Sequence, residues 1–279
     1  MSDLSQATFR FVQQLAGELS TGELELPYLP DIAIKIQKLL KDPECEIDRV
    51  AKAVSTEPGL AARLLRLANS VQYSAAGHEI TEAPAAVNRL GMKAVSNVAW
   101  QYALSQMQHQ PELQPVAAEL RAEWQASTHV AALAFVIAKE CGMEHQDESL
   151  MAGMVHNVGK VYIISRIATR EELQVSLEDL GNAVRDWHPA IGKAIVESWE
   201  FADEIVAAVE GHIELDRTRV GYPDATDVLT LAVCKHDGQP EDLTSLPGAR
   251  RLGFDTAIAG RLDSEAQDEL DALRASLSG

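Results

Sequence analysis

The sequence predicts an all-α protein built as two helical lobes, on three observations. Apolar residues recur at three- and four-residue spacing along most of the chain, and strand-like alternation is nearly absent. Hydrophobic residues make up 46% of the chain but aromatics only 5%, so the core must rest on Leu, Val, Ile and Ala.

The elements follow in order. Residues 4–20 read as an amphipathic N-terminal helix with Phe9, Val12, Leu15 and Leu19 on one stripe. Glu25 to Pro30 is extended, because two prolines fix φ and restrict the residues before them. Asp31 reads as the N-cap of a helix carrying Ile32, Ile36, Leu39 and Leu40, which Asp42-Pro43 ends. A short helix over 47–55 precedes Glu57-Pro58-Gly59, and Pro58 starts the next one, which runs to Asn69-Ser70. After a loop near Gly77, helices are expected at 84–90 and 92–108. Pro111 and Pro115 then break the chain. A long helix over 117–141 ends at Gly142, and further helices are expected at 147–166, 171–185, 189–199, 202–214 and 225–235. The polar, acidic remainder ends in a helix over 263–277. The expected organisation is an N-terminal helix (1–25), a first lobe (26–110), a second bundle (116–236) and an acidic extension (237–279) that packs across the bundle or projects from it.

Charge excludes whole classes of partner. Forty-two acidic side chains against 24 basic ones give a net charge of −18. Such a body repels phosphate backbones and anionic bilayers, which disfavours nucleic acid and membranes as partners. The apolar stretch around Val130 to Ala138 is about half a membrane span. The first fifteen residues lack the basic start and apolar run of a secretion signal. The three cysteines, Cys45, Cys141 and Cys234, form no CxxC pair, so neither a disulfide framework nor a thiolate zinc site is written here. A cytoplasmic location is expected, with oligomeric state left open.

The histidines carry what chemistry the sequence offers. His78, His109, His145 and His236 lie in polar surroundings and are expected to face solvent, whereas His129, His156, His188 and His212 sit in or beside apolar helices. Converging imidazoles can bind a divalent Fe, Mn, Zn or Ni ion, although each taken singly reads as a hydrogen-bonded core histidine.

Three stretches of the first lobe, LPYLPDIAIKIQKLLKDPE (26–44), VSTEPGLAARLLRLANS (54–70) and AAVNRLGMKAVSNV (85–98), resemble the HDOD domain. The HDOD domain is a signalling relative of the HD metal-dependent phosphohydrolases. In the second lobe HVAALAFVIA, LMAGMVHNVGKVYI and HPAIGKAIVESWEFADEIVAAVEGH, within 129–215, extend the resemblance to about two-thirds of the chain. It implies that the second lobe is an HD-like bundle. In an active HD enzyme a first histidine, a His-Asp pair and a later aspartate hold metal around a water nucleophile. Here His129 and His156 match the histidines, but Asn157 stands in place of the paired aspartate. An amide is isosteric with a carboxylate but carries no charge, so it is a much poorer bridging ligand. The later aspartate is expected at Val233; Asp227 comes too early and Asp237 a full turn too late.

Gly221-Tyr222-Pro223 spells the tripeptide of the HD-GYP subfamily, but the accompanying histidine, glutamate and aspartate pattern is missing, so it reads as a turn. A helix-turn-helix over 47–70, with Arg63 and Arg66 on DNA, is opposed by Asp31, Asp42, Glu44, Glu46 and Asp48 around it. The expectation is therefore a regulatory module without cofactor, acting through a signalling protein partner or a small ligand. The alternative is a metal-dependent phosphohydrolase, with cyclic dinucleotides or nucleotides as substrates. His129, His156, His188 and His212 would then form a histidine-rich site, assisted by Asp186 or Asp216, with Lys160 as the catalytic candidate facing phosphate.

Overall fold

The computed structural model describes residues 11, 13–14, 16–18, 20–21, 31–42, 44–70, 73, 79–107, 109–168, 181–240, 242–264 and 266–278. These residues form helices and no strand, in agreement with the all-α reading. The chain divides into two compact units, residues 28–109 with 275–279, and residues 1–27 with 110–274.

The first unit holds α1 (Asp31–Leu40), α2 (Ile47–Ser55), α3 (Pro58–Ala68) and α4 (Ala83–Met107). Ile32, Ile36, Val50, Val54, Leu60, Leu64, Val87 and Val95 meet in one apolar core, which is the stripe the helical spacing predicts. Asp31 falls inside the first turn of α1 rather than at its cap. Gly91 divides α4 with φ 79° and ψ 164°, a conformation that favours glycine, so the two expected helices meet at a kink there. Asn69 does more than cap α3: its amide bonds both the N–H and the carbonyl of Ile80, at 2.8 and 2.7 Å. Arg63, weighed above as a DNA contact, is half-buried with its guanidinium 5.5 Å from the centre of the Tyr102 ring.

The second unit contains a 3-10 turn (Pro111–Val116), α5 (Ala117–Glu140), α6 (Gln146–Val155), α7 (Val158–Ala168), α8 (Gly181–Ser198), α9 (Asp203–Gly211) and α10 (Ala225–Asp237). It continues through a 3-10 turn (Leu243–Ser245), α11 (Pro247–Leu252), α12 (Thr256–Leu262) and α13 (Gln267–Ser278), whose last residues cluster with the first unit. Helix α5 is central and packs on α6 and α10; from Val130 to Ala138 every residue but Phe135 is buried. The described residues between 11 and 21 are helical, and Glu18 there accepts a 2.5 Å hydrogen bond from Tyr162 and pairs with Arg166 on α7. The expected stripe of Phe9, Val12, Leu15 and Leu19 lies outside the described residues.

Three boundaries differ from expectation. The single helix expected over 147–166 is two, interrupted at His156-Asn157. The expected gap between 185 and 189 is absent, because α8 runs through Pro189; the 171–180 part of the predicted helix lies outside the described residues. Beyond 237 the chain forms three helices, not one. They bury Leu252, Phe254, Ile258, Leu262, Leu270 and Leu273, and ion pairs Arg261–Glu140 and Lys139–Glu269 tie them to α5. Their stops were written in the sequence: Pro247 opens α11, Gly253 at φ 67° closes it, and the Asp255 side chain caps α12.

Candidate functional site

A cavity of about 970 Å³ opens in the second unit among α5, α7, α8, α9 and α10. His156, His188 and His212 lie in its wall, each only 2% exposed. The His188 and His212 rings approach with Nε2 atoms 3.3 Å apart, and the His156 and His212 ring centres are 5.3 Å apart in a T-shaped arrangement. Three of the four candidate histidines therefore lie together.

Two helix ends and one proline aim the three rings. The His156 Nδ1–H donates to the Gly153 carbonyl at 2.7 Å, an acceptor a continuing helix would offer to the Asn157 N–H. His212 does the same with the Val209 carbonyl at 2.8 Å, where α9 ends. In α8, Pro189 has no N–H for the Arg185 carbonyl, and the His188 Nδ1–H takes that acceptor at 2.9 Å. A carbonyl only accepts, so each Nδ1 carries the proton and each Nε2 presents a lone pair. Burial keeps the rings neutral: it is the first cause pushing His188 down to about 3 and His212 to about 4, and it drives His156 the same way.

Asn157 follows His156 into the wall. It is 2% exposed, and its Oδ1 is buried with no hydrogen-bond donor in reach. A buried amide oxygen without a partner is uncommon in folded proteins. Gly159 lets this segment press onto α8: a Cβ there would lie 2.0 Å from the His188 carbonyl oxygen. Lys160, on the next position, lines the cavity with its Nζ 3.9 Å from Glu123 of α5. The Glu123 carboxyl is raised above the usual range by burial, against the opposing pull of Lys160.

His129 does not line this cavity. It borders a separate recess of about 180 Å³ with Asp271 and Arg274 of α13, and its Nδ1 lies 3.1 Å from the Nδ1 of His236. Burial, then Arg274, lowers His129 to about 4. His236, expected to face solvent, is thus half-buried, and it lines the large cavity. Val233 also faces the cavity and brings no carboxylate, whereas Asp237 one turn later does. Among the described residues, no three His, Cys, Asp or Glu side chains are arranged to hold a metal ion. Asp186 lines the cavity beside Arg185, and Asp216 is absent from its wall. Glu119, Glu123 and Asp237 were missed as wall residues, yet their spacing signalled them: Glu119, Ala122, Glu123 and Ala126 form one stripe of α5, and Val233, His236 and Asp237 one stripe of α10.

Asp227 serves structure. Its 2% exposed carboxylate accepts from Arg251 at 2.6 and 3.0 Å and from Arg217 at 3.2 Å, and it closes a capping box with Asp224. That network fastens the loop between α9 and α10.

The HDOD domain profile matches residues 26–215. A crystal structure of a candidate metal-dependent phosphohydrolase from Shewanella amazonensis superposes with a TM-score of 0.77 at 24% identity, covering 98% of this chain and 99% of that one. An HDOD domain protein of unknown function from Geobacter sulfurreducens gives 0.65 at 24% identity, covering 95% and 96%. A candidate signal transduction protein from Marinobacter aquaeolei gives 0.61 at 20% identity, covering 92% and 60%. An uncharacterized Treponema pallidum protein is 21% identical over 233 residues; the match takes in 78% of this chain but 44% of that relative's length. No described helix is long and apolar enough to cross a membrane.

Proposed function

The chain belongs to the HDOD family, and on that footing we propose that it is a regulatory module whose HD-type cavity recognises a ligand or partner without hydrolysing it. The observation that carries this reading is Asn157: the position that would supply a bridging carboxylate holds a neutral amide whose oxygen is buried and unpartnered. Val233, where the later aspartate is expected, supports it further, as does the pairing of His129 with His236 instead of with the trio. A signal-transduction role fits this loss of ligands. Purified protein should leave phosphomonoesters, bis(p-nitrophenyl) phosphate and cyclic dinucleotides intact with Mn, Fe, Zn or Ni present. Metal-dependent turnover that His156→Ala abolishes would overturn the reading.

One observation favours the alternative, a metal-dependent phosphohydrolase. The Nε2 atoms of His188 and His212 lie 3.3 Å apart, and these two nitrogens would be the donors to an ion. The neutral imidazoles suit a single Fe, Mn, Zn or Ni ion held by His188 and His212 with His156 nearby, and they do not suit a carboxylate-bridged pair. Such an ion would acidify bound water and orient a phosphate, with Lys160 and Asp186 on the cavity wall. Elemental analysis of native protein decides: a stoichiometric metal lost in His188→Gln supports this alternative.

A further inference from the structure

The histidine end of the cavity is rich in acceptors. The trio's Nδ1–H groups are spent on backbone carbonyls, so three Nε2 lone pairs face inward beside the unpartnered Asn157 oxygen. The Nε2 atoms of His188 and His212 lie 3.3 Å apart, too close for a heavy atom between them but within reach of one forked donor placed over the pair. The charged residues of the wall lean the same way: Glu119, Glu123, Asp186 and Asp237 against Lys160 and Arg185, both of which already stand beside a carboxylate. Phosphate finds little here, and a cationic donor finds much.

The rim adds a second, independent feature. Among the described residues, the exposed large apolar side chains other than Ile47 all lie between 213 and 222: Ile213 (42% exposed), Leu215 (41%), Val220 (103%) and Tyr222 (89%). Ile213 and Leu215 also line the cavity, so this loop is its edge. The Arg217–Asp224 and Asp227–Arg251 pairs fasten the loop's base, holding the apolar side chains out on a fixed backbone. Exposed apolar groups on a pre-organised loop mark an interaction surface. A second copy of this chain is a poor occupant, since both copies carry −18.

We propose that the cavity receives an arginine or lysine side chain from a partner protein, whose flanking apolar residues seat on Ile213, Leu215, Val220 and Tyr222. This rests on reading the cavity as a recognition site and names the chemistry recognised. A bare metal ion would need little of the 970 Å³ and none of the apolar rim.

The test uses the full chain and dye-labelled nonapeptides with a central arginine, lysine, citrulline or glutamate between leucines, read by fluorescence anisotropy. Arginine and lysine peptides should bind, with citrulline and glutamate at least about tenfold weaker. The Val220→Ser/Tyr222→Ser variant should lose at least about tenfold in affinity at unchanged Tm, because both residues are fully solvent-facing. Asn157→Leu should weaken the arginine peptide, and millimolar inorganic phosphate should not compete. Equal binding of the citrulline peptide, an unaffected loop variant, or binding of Zn2+ or phosphate without any peptide overturns the proposal. Those results leave the regulatory reading standing; metal-dependent phosphoester turnover is the separate result that removes it.

Discussion

Gly159→Ala tests how closely α7 and α8 must meet for the site to exist. A methyl at this position would sit 2.0 Å from the His188 carbonyl oxygen and 2.8 Å from the Gly192 nitrogen, both backbone atoms that cannot rotate away. Ordinary contact begins near 3.4 Å, so the helices must part by more than an ångström. Overpacking of this kind costs about 3 kcal/mol, and the gain in helix propensity from alanine returns about 1. A net loss of about 2 kcal/mol lowers the Tm by about 4–8 °C for a unit of this size. Thermal unfolding followed by circular dichroism reads it, with Gly260→Ala as control, since a Cβ there meets nothing within 4 Å. Because the displaced carbonyl belongs to His188, the variant should also bind the arginine peptide more weakly than its stability loss alone explains. A Tm equal to or above that of the parent would refute the packing argument.

Other consequences follow from the same geometry. Asp227→Ala leaves Arg217 and Arg251 facing each other without their shared carboxylate and should cost about 3 kcal/mol in chemical denaturation; a loss under about 1 kcal/mol would mean that Asp224 alone holds the loop. His188 and His212 have native values near 3 and 4, below about 6.5 in the unfolded chain. The unfolded chain takes up the protons first, so their stabilisation is full above about pH 6.5 and is lost as the pH falls towards 3–4. The slope is at most about 1.4 kcal/mol per pH unit per histidine, and the His188→Gln/His212→Gln variant should show a shallower decline between pH 6.5 and 4 in urea titrations. Asn157→Asp places a carboxylate beside His156 and should create Mn2+ binding in calorimetry that the parent does not show; no binding heat from the variant would show that this position does not face the cavity.

The helices were legible because their apolar stripes are local, and four histidines, three of which meet, stood out because they sit on or beside apolar helices. The break at His156-Asn157 was illegible, since it depends on a ring taking a backbone carbonyl, and no periodicity records that competition. His129 was read with His156 by resemblance; its neighbours Asp271 and Arg274 lie some 140 residues on, where only tertiary packing brings them. His236 was misplaced for a simpler reason: a polar helix end looks solvated until another helix or a cavity is found beside it. Conversely, the amide at Asn157 and the apolar Val233 needed no structure to be seen.

The three rings take their aim from backbone acceptors at two helix ends and one proline, and none of the three depends on a hydrogen bond to a partner side chain through its Nδ1. The pocket's form and its chemistry can therefore be inherited separately. The side chains around the rings can change and still leave a shaped recess in which the rings keep their aim.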